Sequence, residues 1–389
     1  MNQDPSLFGR HIDRRTLLET AAAGVFAVGV ATACGTTENT PGAQTNASTR
    51  PGPATAVQPG LKLRGAILFE PDWDSKVQDD ATRTRLAASL ASGAVSDISV
   101  SFALLQTDST VGRPNYSSHM DELIAAANPD MTVSVAIGGW GAGIDGWNAA
   151  FDKKEGFAKS VADLVAASEQ RFGRHVGVVF DCEEEGFPAA DLTAIVDQTR
   201  KAIGDRKIGV TVPVDWMLDT FDAPALLKAG ANSIMPMLYD RYAPTSPNED
   251  AQGKPVSGDI AGGLWIQDGV GAWVKRANGD ASKIEPLLPA YGYAYNGAKK
   301  AGDRFVEPTG DDDGTVLYPN IPGPITDDLK ALTSQAHDAN GNWISCLSPA
   351  VLKLIFTGLM QRYPTLGTPG YWEATGVTPA HLQAVQQLA

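Results

Sequence analysis

The chain has 389 residues, of which 43% are hydrophobic and 20% are charged. This length is enough for one large domain or two modest ones. The 31 basic and 45 acidic side chains give a formal net charge of −14, which argues against a nucleic-acid ligand and against electrostatic adhesion to anionic lipid.

Residues 1–33 have the features of an export signal. The run DRRTLL at 13–18 resembles a twin-arginine signal, and the apolar stretch 21–33 is too short to span a bilayer. The run ATACG at 31–35 is similar to a bacterial lipobox, which predicts cleavage before Cys34 and lipidation of its thiol. An ordinary secretory signal with an incidental cysteine is the alternative. We expect an exported protein held by a lipid anchor on the outer face of the cell membrane or envelope.

Residues 34–60 are mostly Thr, Pro, Gly, Ala and Asn, with almost no large apolar side chain. Such a segment cannot bury enough surface to offset its ordering entropy, so we predict a disordered tether. The folded part then extends over 61–389 as one domain, which we expect to be monomeric.

Metal and disulfide chemistry have little support in the sequence. Beyond Cys34 only Cys182 and Cys346 remain, too few for a disulfide framework. We predict buried thiols, although pairing of these two cysteines stays open. The histidines show no spacing of metal ligands, so we expect no metal site, no histidine-based triad and no cofactor.

From residue 61 onward, short apolar runs that predict strands alternate with patterns that predict helices. The predicted strands lie at 65–69, 97–105, 131–137, 176–181, 208–213, 233–238 and 284–291. The predicted helices lie at 81–91, 119–127, 157–172, 189–203, from 224 onward and at 260–277. No Gly-x-Gly-x-x-Gly follows the first strand, which argues against a dinucleotide-binding fold.

Alternating strands and helices of this kind predict an α/β fold with parallel strands, and their number favours a (β/α)8 TIM barrel over a doubly wound sheet. The eighth strand is predicted at 370–373, with 342–347 as the rival position. Residues 297–335 are polar and rich in Gly, Asp and Pro, which indicates an insertion before the last strand.

The predicted fourth strand ends in an acidic cluster, DCEEE at 181–185. Because side chains alternate along a strand, Asp181 and Glu183 point to one face and Glu184 to the other. Catalytic groups of a barrel come from the carboxyl ends of its strands. Two close carboxylates raise one pKa, which gives glycosidic cleavage an acid for the leaving oxygen and a negative group beside the developing cation. A solvated acidic loop is the alternative.

Short motifs also stand at the ends of neighbouring predicted strands: AIGGW at 136–140, DCE at 181–183, MLYD at 237–240 and PAYG at 289–292. In this order they resemble the S-x-G-G, D-x-x-D-x-D-x-E, M-x-Y-D and P-x-Y-G motifs of family 18 glycoside hydrolases. That family comprises chitinases and endo-β-N-acetylglucosaminidases. The resemblance covers roughly 65–376.

The resemblance implies substrate-assisted, retaining hydrolysis of a polysaccharide or oligosaccharide that contains 2-acetamido sugars. Glu183 would protonate the leaving oxygen and then act as the base on water. Asp181 would hold the acetamido N–H group, and the Tyr239 hydroxyl would hold the acetamido carbonyl oxygen. The substrate's own carbonyl oxygen would attack the anomeric carbon, so positioning and charge stabilisation supply the catalysis.

The resemblance also implies a set of substrate-binding residues: Trp372, Asp240, Trp140, Tyr291, Met237, Gly138 and Gly139. Trp140 and Trp372 would stack on sugar faces, and for both the alternative is packing in the core. Tyr291 belongs either to a subsite or to the core. A capped strand end is the alternative for residues 239–240, and a tight turn is the alternative for Gly138 and Gly139.

The chain departs from the family pattern at three positions. The first two aspartates of the fourth-strand motif fall on Val176 and Val179, and the third-strand serine is Ala136. The residue at 179 normally supports the aspartate that matches Asp181, so charge coupling in this site must differ. Glycosidase function tolerates such changes more readily than chitinase specificity does.

Two further functions remain open. The same barrel can serve as a glycan-binding lipoprotein without catalysis, although binding members of the family usually lack the acid that Glu183 would supply. Alternatively, a glycosidase for sugars without the acetamido group would pair Glu183 with a second carboxylate, Glu70 or Glu373. The two carboxyl groups would then be about 5–5.5 Å apart for retention and farther apart for inversion.

The lipobox interpretation predicts that Cys34→Ala releases the protein from membranes without changing its fold, because the tether carries no core residue. Membrane fractionation and the circular dichroism spectrum of the released protein check this. Equal retention of the variant and the wild type would contradict it.

Overall fold

The computed structural model describes residues 66–71, 80–114, 116, 118–139, 143–184, 186–214, 218–308 and 313–386. The predicted signal and tether at 1–60, with Cys34, lie outside these residues. Trp140 and Glu185 also lie outside them.

Strands and helices alternate through the first two thirds of the described chain. The strands are β1 Ala66–Pro71, β2 Val95–Ala103, β3 Thr132–Gly138, β4 Val176–Asp181, β5 Ile208–Val212, β6 Ser233–Pro236, β7 Asn248–Glu249, β8 Pro255–Val256, β9 Leu287–Pro289, β10 Tyr291–Tyr295, β11 Thr315–Leu317, β12 Thr326–Asp328, β13 Thr333–His337, β14 Trp343–Cys346 and β15 Gly370–Trp372. The α-helices are Asp80–Ala91, Ser118–Ala126, Ile144–Asp152, Lys154–Phe172, Ala189–Ile203, Ala223–Ala229, Gly263–Arg276, Pro349–Arg362 and Pro379–Gln386.

Eight parallel strands form one sheet in the order β6-β5-β4-β3-β2-β1-β15-β9. The two ends of this sheet also meet. The Leu238 N–H donates to the Leu287 carbonyl at 2.8 Å, and the Glu285 N–H donates to the Ile234 carbonyl at 2.9 Å. These contacts join β6 to β9, so the predicted (β/α)8 barrel is confirmed.

The eighth barrel strand is β15, between β1 and β9, as predicted for 370–373. The rival segment 342–347 instead contains β14, which pairs in an antiparallel sheet outside the barrel. The predicted seventh strand, 284–291, is shorter than expected. It ends at Pro289, and from Tyr291 the chain pairs antiparallel with β14.

The insertion before the last strand is a five-stranded antiparallel sheet in the order β11-β10-β14-β13-β12. It begins earlier and ends later than the predicted 297–335. The sequence analysis assigned Tyr291, the first residue of β10, to the seventh barrel strand, and it named the β14 segment as the rival for the eighth. Tyr291, Tyr293, Tyr295 and Trp343 pack together in its core.

A helix that the sequence analysis did not predict, Pro349–Arg362, packs against the barrel after this sheet. The Val351 N–H donates to the Ser348 hydroxyl at 3.2 Å, and Pro349 takes the first helical turn, where its missing N–H costs nothing. The Ser-Pro pair could therefore have been used to predict the start of this helix. Among the described residues, no helix combines the length and the apolar character needed to cross a bilayer.

The barrel interior is apolar toward the carboxyl ends of the strands. Phe69, Ala136, Val179, Met235 and Leu287 form one buried cluster there, from five different strands. We call this cluster the apolar layer.

The opposite end of the barrel carries a buried ion network. The Lys207 ammonium, just before β5, lies 2.9 Å from an Asp97 carboxylate oxygen and 3.1 Å from a Glu285 carboxylate oxygen. Burial raises the pKa of Asp97, and the charge of Lys207 opposes that rise. Burial also lowers the pKa of Lys207, but the two carboxylates outweigh this effect and raise it overall. The network ties β2, β5 and the start of β9 together.

We predict that Lys207→Met lowers the free energy of unfolding by about 3–5 kcal/mol, because it leaves two carboxylates without their cation in a poorly solvated place. Lys201→Met is the control, since it removes a lysine from an exposed pair with Asp197 and should cost no more than about 1 kcal/mol. Urea unfolding of both variants checks the difference. Equal losses would show that the network does not stabilise the barrel.

Candidate active site

The predicted catalytic residues meet at the carboxyl ends of the barrel strands. Asp181 is the last residue of β4, Tyr239 follows β6, and Trp372 is the last residue of β15. Tyr239 and Trp372 pack against the apolar layer. Burial raises the pKa of Tyr239 well above its usual value, and the charges of Asp181 and Glu183 raise it further. The two carboxylates and the phenol therefore share one cleft.

Asp181 is a buried carboxyl group, with 4% of its surface exposed. The Thr211 hydroxyl on β5 donates a hydrogen bond to its Oδ1 atom. Burial raises the pKa of Asp181 to about 6, and the Thr211 hydrogen bond opposes the rise. The group therefore changes charge close to neutral pH.

Side chains alternate along β4, as predicted. Val179 belongs to the apolar layer inside the barrel, whereas Phe180 and Cys182 are buried in the outer core between the sheet and the helices. Burial raises the pKa of the Cys182 thiol well above its usual value. Cys182 and Cys346 are both free and buried, so they do not pair. Glu183 is half-buried at the cleft.

Glu184 holds the neighbouring loop. Its carboxylate accepts a hydrogen bond from the Gly143 N–H at 3.0 Å, at the start of the helix Ile144–Asp152. A carboxylate is favourable beside a helix N-terminus, so this contact also has a favourable charge. Glu184 thus has a structural partner, as its opposite face on the strand suggested.

Gly138 ends β3 and Gly139 follows it, and both lie tightly against their surroundings. A Cβ atom at Gly138 would lie 2.2 Å from the Asp181 carbonyl oxygen, and one at Gly139 would lie 2.7 Å from the Phe102 ring. Both residues have positive φ angles, 112° and 83°. The Gly139 N–H donates to the Asp181 carbonyl at 2.8 Å. Only glycine lets β3 approach the end of β4 this closely.

Asp240 is held by two tyrosines of β10. The hydroxyls of Tyr291 and Tyr293 both donate to its Oδ1 atom, the second at 2.7 Å. The residue as a whole is exposed, but its carboxyl group lies against the protein and is poorly hydrated. This loss of water raises the pKa of Asp240, and the two hydrogen bonds oppose the rise. Tyr291 is buried and packs edge-on against Tyr239, with ring centroids 6.4 Å apart. Tyr291 therefore belongs to the wall behind Asp240 and Tyr239.

Tyr293 was not predicted. The sequence feature that could have identified it is the alternation YGY at 291–293, because alternate residues of a strand lie on the same face.

Trp372 lies half-buried across the mouth of the barrel. Its ring is tilted against Phe102, with centroids 5.7 Å apart, and against Phe69, at 6.1 Å. Met237 is also half-buried against the apolar layer. One face of Trp372 thus belongs to the core, and part of the side chain stays open to the cleft. Trp140, the other predicted stacking residue, lies outside the described residues.

The positions that depart from the family pattern are all apolar and buried. Val179 and Ala136 lie in the apolar layer beneath Asp181, and Val176 lies in the outer core. In the part of the chain that the structure describes, Asp181 therefore lies above apolar side chains at the positions where the family has carboxyl or hydroxyl groups. The hydrogen bond from Thr211 takes that place, and the sequence analysis did not identify Thr211.

Glu373, one of the two candidates for a second catalytic carboxylate, is engaged in a local hydrogen bond. It is buried, and its carboxylate accepts a hydrogen bond from Thr375. The Thr375 carbonyl in turn accepts from Arg85 of the helix Asp80–Ala91, at 2.6 Å. The side chain of Glu70, the other candidate, is not among the described ones. In the described part of the chain, no group of His, Cys, Asp and Glu residues is arranged to hold a metal ion.

Comparison with known sequences identifies one family. Residues 72–347, well over half of the chain, match the sequence profile of the glycosyl hydrolases family 18. No curated protein matches the chain.

Solved structures share the fold at low sequence identity. A mutant GH18 chitinase from Cycas revoluta in complex with (GlcNAc)4 has a TM-score of 0.66 at 17% identity, over 83% of this chain and 99% of that one. A mutant class V chitinase from Nicotiana tobaccum in complex with NAG4 has a TM-score of 0.64 at 17% identity, over 84% and 99%. The chitinase-like agglutinin of Robinia pseudoacacia has a TM-score of 0.61 at 15% identity, over 83% and 98%.

Burial of Asp181 predicts a pH-dependent stability. Its pKa of about 6 exceeds the ordinary value of 3.8, so the folded state binds the proton more tightly than the unfolded state does. This contribution is complete below about pH 4 and is lost as the pH rises through about 6. The variant Asp181→Asn should therefore be more stable than the wild type at pH 8, by about 3 kcal/mol, and equally stable at pH 4.

Urea unfolding at the two pH values checks this expectation, with Asp130→Asn at an exposed turn as the control that should change little at either pH. A variant of Asp181 that gains no stability at pH 8 would show that the carboxyl group is better solvated than the structure indicates.

Proposed function

Since the chain belongs to family 18 of the glycosyl hydrolases, we propose that it is a retaining glycoside hydrolase that acts on glycans containing 2-acetamido sugars. The observation that carries this proposal is the shared cleft of Asp181, Glu183 and Tyr239 at the carboxyl end of the barrel. The three groups supply the acid, the acetamido acceptor and the phenol that substrate-assisted hydrolysis requires.

The half-buried Glu183 is the general acid and base. It donates its proton to the leaving oxygen while the carbonyl oxygen of the substrate's acetamido group attacks the anomeric carbon. The Glu183 carboxylate then takes a proton from the water that opens the cyclic intermediate, which restores the acid and the original anomeric configuration. A positioned acid of this kind typically contributes 10²–10⁴-fold in rate.

Asp181 and Tyr239 position the acetamido group. The Asp181 carboxylate accepts the acetamido N–H and stabilises the positive charge that develops on the cyclic intermediate. The Tyr239 hydroxyl donates to the acetamido oxygen, and it stays protonated because burial and the nearby carboxylates raise its pKa. Both groups are held before the substrate binds, so little reorganisation is needed in the transition state.

Asp181 must be ionised to do this work. Because Val179 and Ala136 lie beneath it, no protein carboxyl group below can take its proton. With the pKa of Asp181 at about 6, activity should rise as the pH increases through that value. The acidic limb of the pH–rate profile therefore belongs to Asp181 in this proposal.

Trp372 would form the floor of the sugar site, with Asp240 held ready by its two tyrosines to accept a sugar hydroxyl. Two structurally similar chitinases bind NAG4 and (GlcNAc)4, so N-acetylglucosamine oligosaccharides are the first substrates to try. We also propose, from the signal and lipobox in the sequence, that the enzyme is exported and acts from a lipid anchor at Cys34.

A glycan-binding protein without catalysis is the second candidate. The structural similarity to a chitinase-like agglutinin favours it, and so does the loss of the acidic residue at Val179. The presence of Glu183 favours hydrolysis. The same experiment separates the two functions.

We predict that Glu183→Gln lowers kcat at least 100-fold toward a fluorogenic N-acetylglucosamine oligosaccharide, because the amide has no proton to donate, while glycan binding persists. Glu184→Gln is the matched control. It keeps the oxygen that accepts from Gly143 and should stay near the wild-type rate. Hydrolysis rates and calorimetric binding of the oligosaccharide are measured for the wild type and both variants.

Binding without hydrolysis by the wild-type protein would favour the glycan-binding function. An active wild type with equal losses in the two variants would remove Glu183 from the role of the acid.

A further inference from the structure

Thr211 lies where its hydroxyl can control the orientation and the ionisation of the Asp181 carboxyl group. It lies on β5, next to β4, and the register pairs Val179 with Gly209 and Phe180 with Val210, so Thr211 lies beside Asp181. Both side chains are buried, with 1% and 4% exposed. The hydroxyl donates to Asp181 Oδ1, and its oxygen also lies 3.3 Å from the Phe180 carbonyl oxygen.

Glu183 and Tyr239 share this end of the barrel with the carboxyl group, and the charges of Asp181 and Glu183 both act on the Tyr239 phenol. The other surroundings of Asp181 are mainly apolar. The apolar layer, with Ala136, Val179 and Met235, closes the space below. In register, Met235 is the neighbour of Thr211 on β6. Within the described residues, Thr211 is the side chain that hydrogen-bonds the Asp181 carboxyl group. When a buried carboxyl group loses such a partner, rotation toward another donor and retention of its proton both become more favourable.

The Thr211 hydroxyl has two possible acceptors, Asp181 Oδ1 and the Phe180 carbonyl oxygen. It can therefore form a hydrogen bond whether Asp181 is ionised or protonated. When Asp181 is ionised, the hydroxyl donates to the carboxylate, the stronger acceptor of the two. When Asp181 is protonated, its O–H can donate to Thr211 Oγ1, and the threonine proton can turn to the Phe180 carbonyl. The carboxyl O–H and the threonine O–H then each keep an acceptor while the carboxyl group stays in place.

We infer that Thr211 is the positioning residue that holds the Asp181 carboxyl group in one orientation whether it is protonated or ionised, and that it thereby sets the pH at which the site becomes active. The second half of this inference rests on the proposed role of Asp181 in hydrolysis. The first half concerns only the ionisation of one carboxyl group, which can be measured without substrate.

The experiment compares three substitutions in the full chain. Thr211→Val removes the hydroxyl at nearly constant volume, and Thr211→Ser keeps it. Thr199→Val is the matched control, because Thr199 is fully buried in the helix Ala189–Ile203 and its hydroxyl has no hydrogen-bond partner among the described residues. If Thr211→Val fails to fold, Thr211→Ala removes the same hydroxyl without a second methyl group against the carboxylate.

The first readout is the titration of the Asp181 carboxyl carbon by ¹³C NMR, assigned by its absence in Asp181→Asn. The midpoint should lie near pH 6 in the wild type. It should move up by about one pH unit in Thr211→Val, because the ionised form loses a hydrogen bond. Thr211→Ser and Thr199→Val should leave the midpoint unchanged.

The second readout is the pH dependence of kcat/KM, whose acidic limb should move with the NMR midpoint and return in Thr211→Ser. An NMR midpoint that is the same in Thr211→Val and Thr199→Val overturns the inference. A midpoint that moves while the acidic limb stays in place upholds the control of Asp181 by Thr211 and overturns the proposed role of Asp181 in hydrolysis.

Discussion

The burial of one carboxyl group above an apolar layer is the constraint from which the chemistry of this barrel follows. Asp181 ends β4 with Val179 and Ala136 beneath it and one hydroxyl, that of Thr211, beside it. Because water is largely excluded, the pKa of this group is raised to about 6. The surroundings of Asp181 therefore determine whether it is charged near neutral pH. In the proposed function, the half-buried Glu183 two residues later donates the proton, Asp181 stabilises charge, and the phenol of Tyr239 completes the site.

Buried carboxyl groups have different partners at the two ends of the barrel. At the amino-terminal end, Lys207 neutralises Asp97 and Glu285 directly, which ties three parts of the sheet together. At the carboxyl end no cation lies against Asp181 in the described residues, and the hydroxyl group of Thr211 takes its place. The first arrangement favours stability. The second lowers stability above neutral pH, where Asp181 is ionised.

The sequence predicted most of the fold because its signals are local. The bounds of β4 and of the helix Ala189–Ile203 were correct to the residue, and the alternation along β4 correctly placed Val179 inside the barrel and Phe180 in the outer core. The antiparallel sheet from Tyr291 to Cys346 was only partly recognised, because its pairing depends on strands about 50 residues apart in sequence. Thr211 and Tyr293 escaped notice for a related reason. Each acts on a residue at least 30 positions away, so a local pattern can show the face on which Tyr293 lies but cannot show its contact.

The most direct test of this account asks whether the substrate's own acetamido group is the nucleophile. Aryl glycosides of N-acetylglucosamine oligosaccharides are prepared with none, one, two or three fluorine atoms on the acetyl group next to the scissile bond, and kcat/KM is measured at pH 7. Fluorine withdraws electrons from the carbonyl oxygen, so the account predicts a steep fall in rate with each fluorine atom and a first product that retains the anomeric configuration. Rates that do not respond to fluorination, or a first product of inverted configuration, would contradict it.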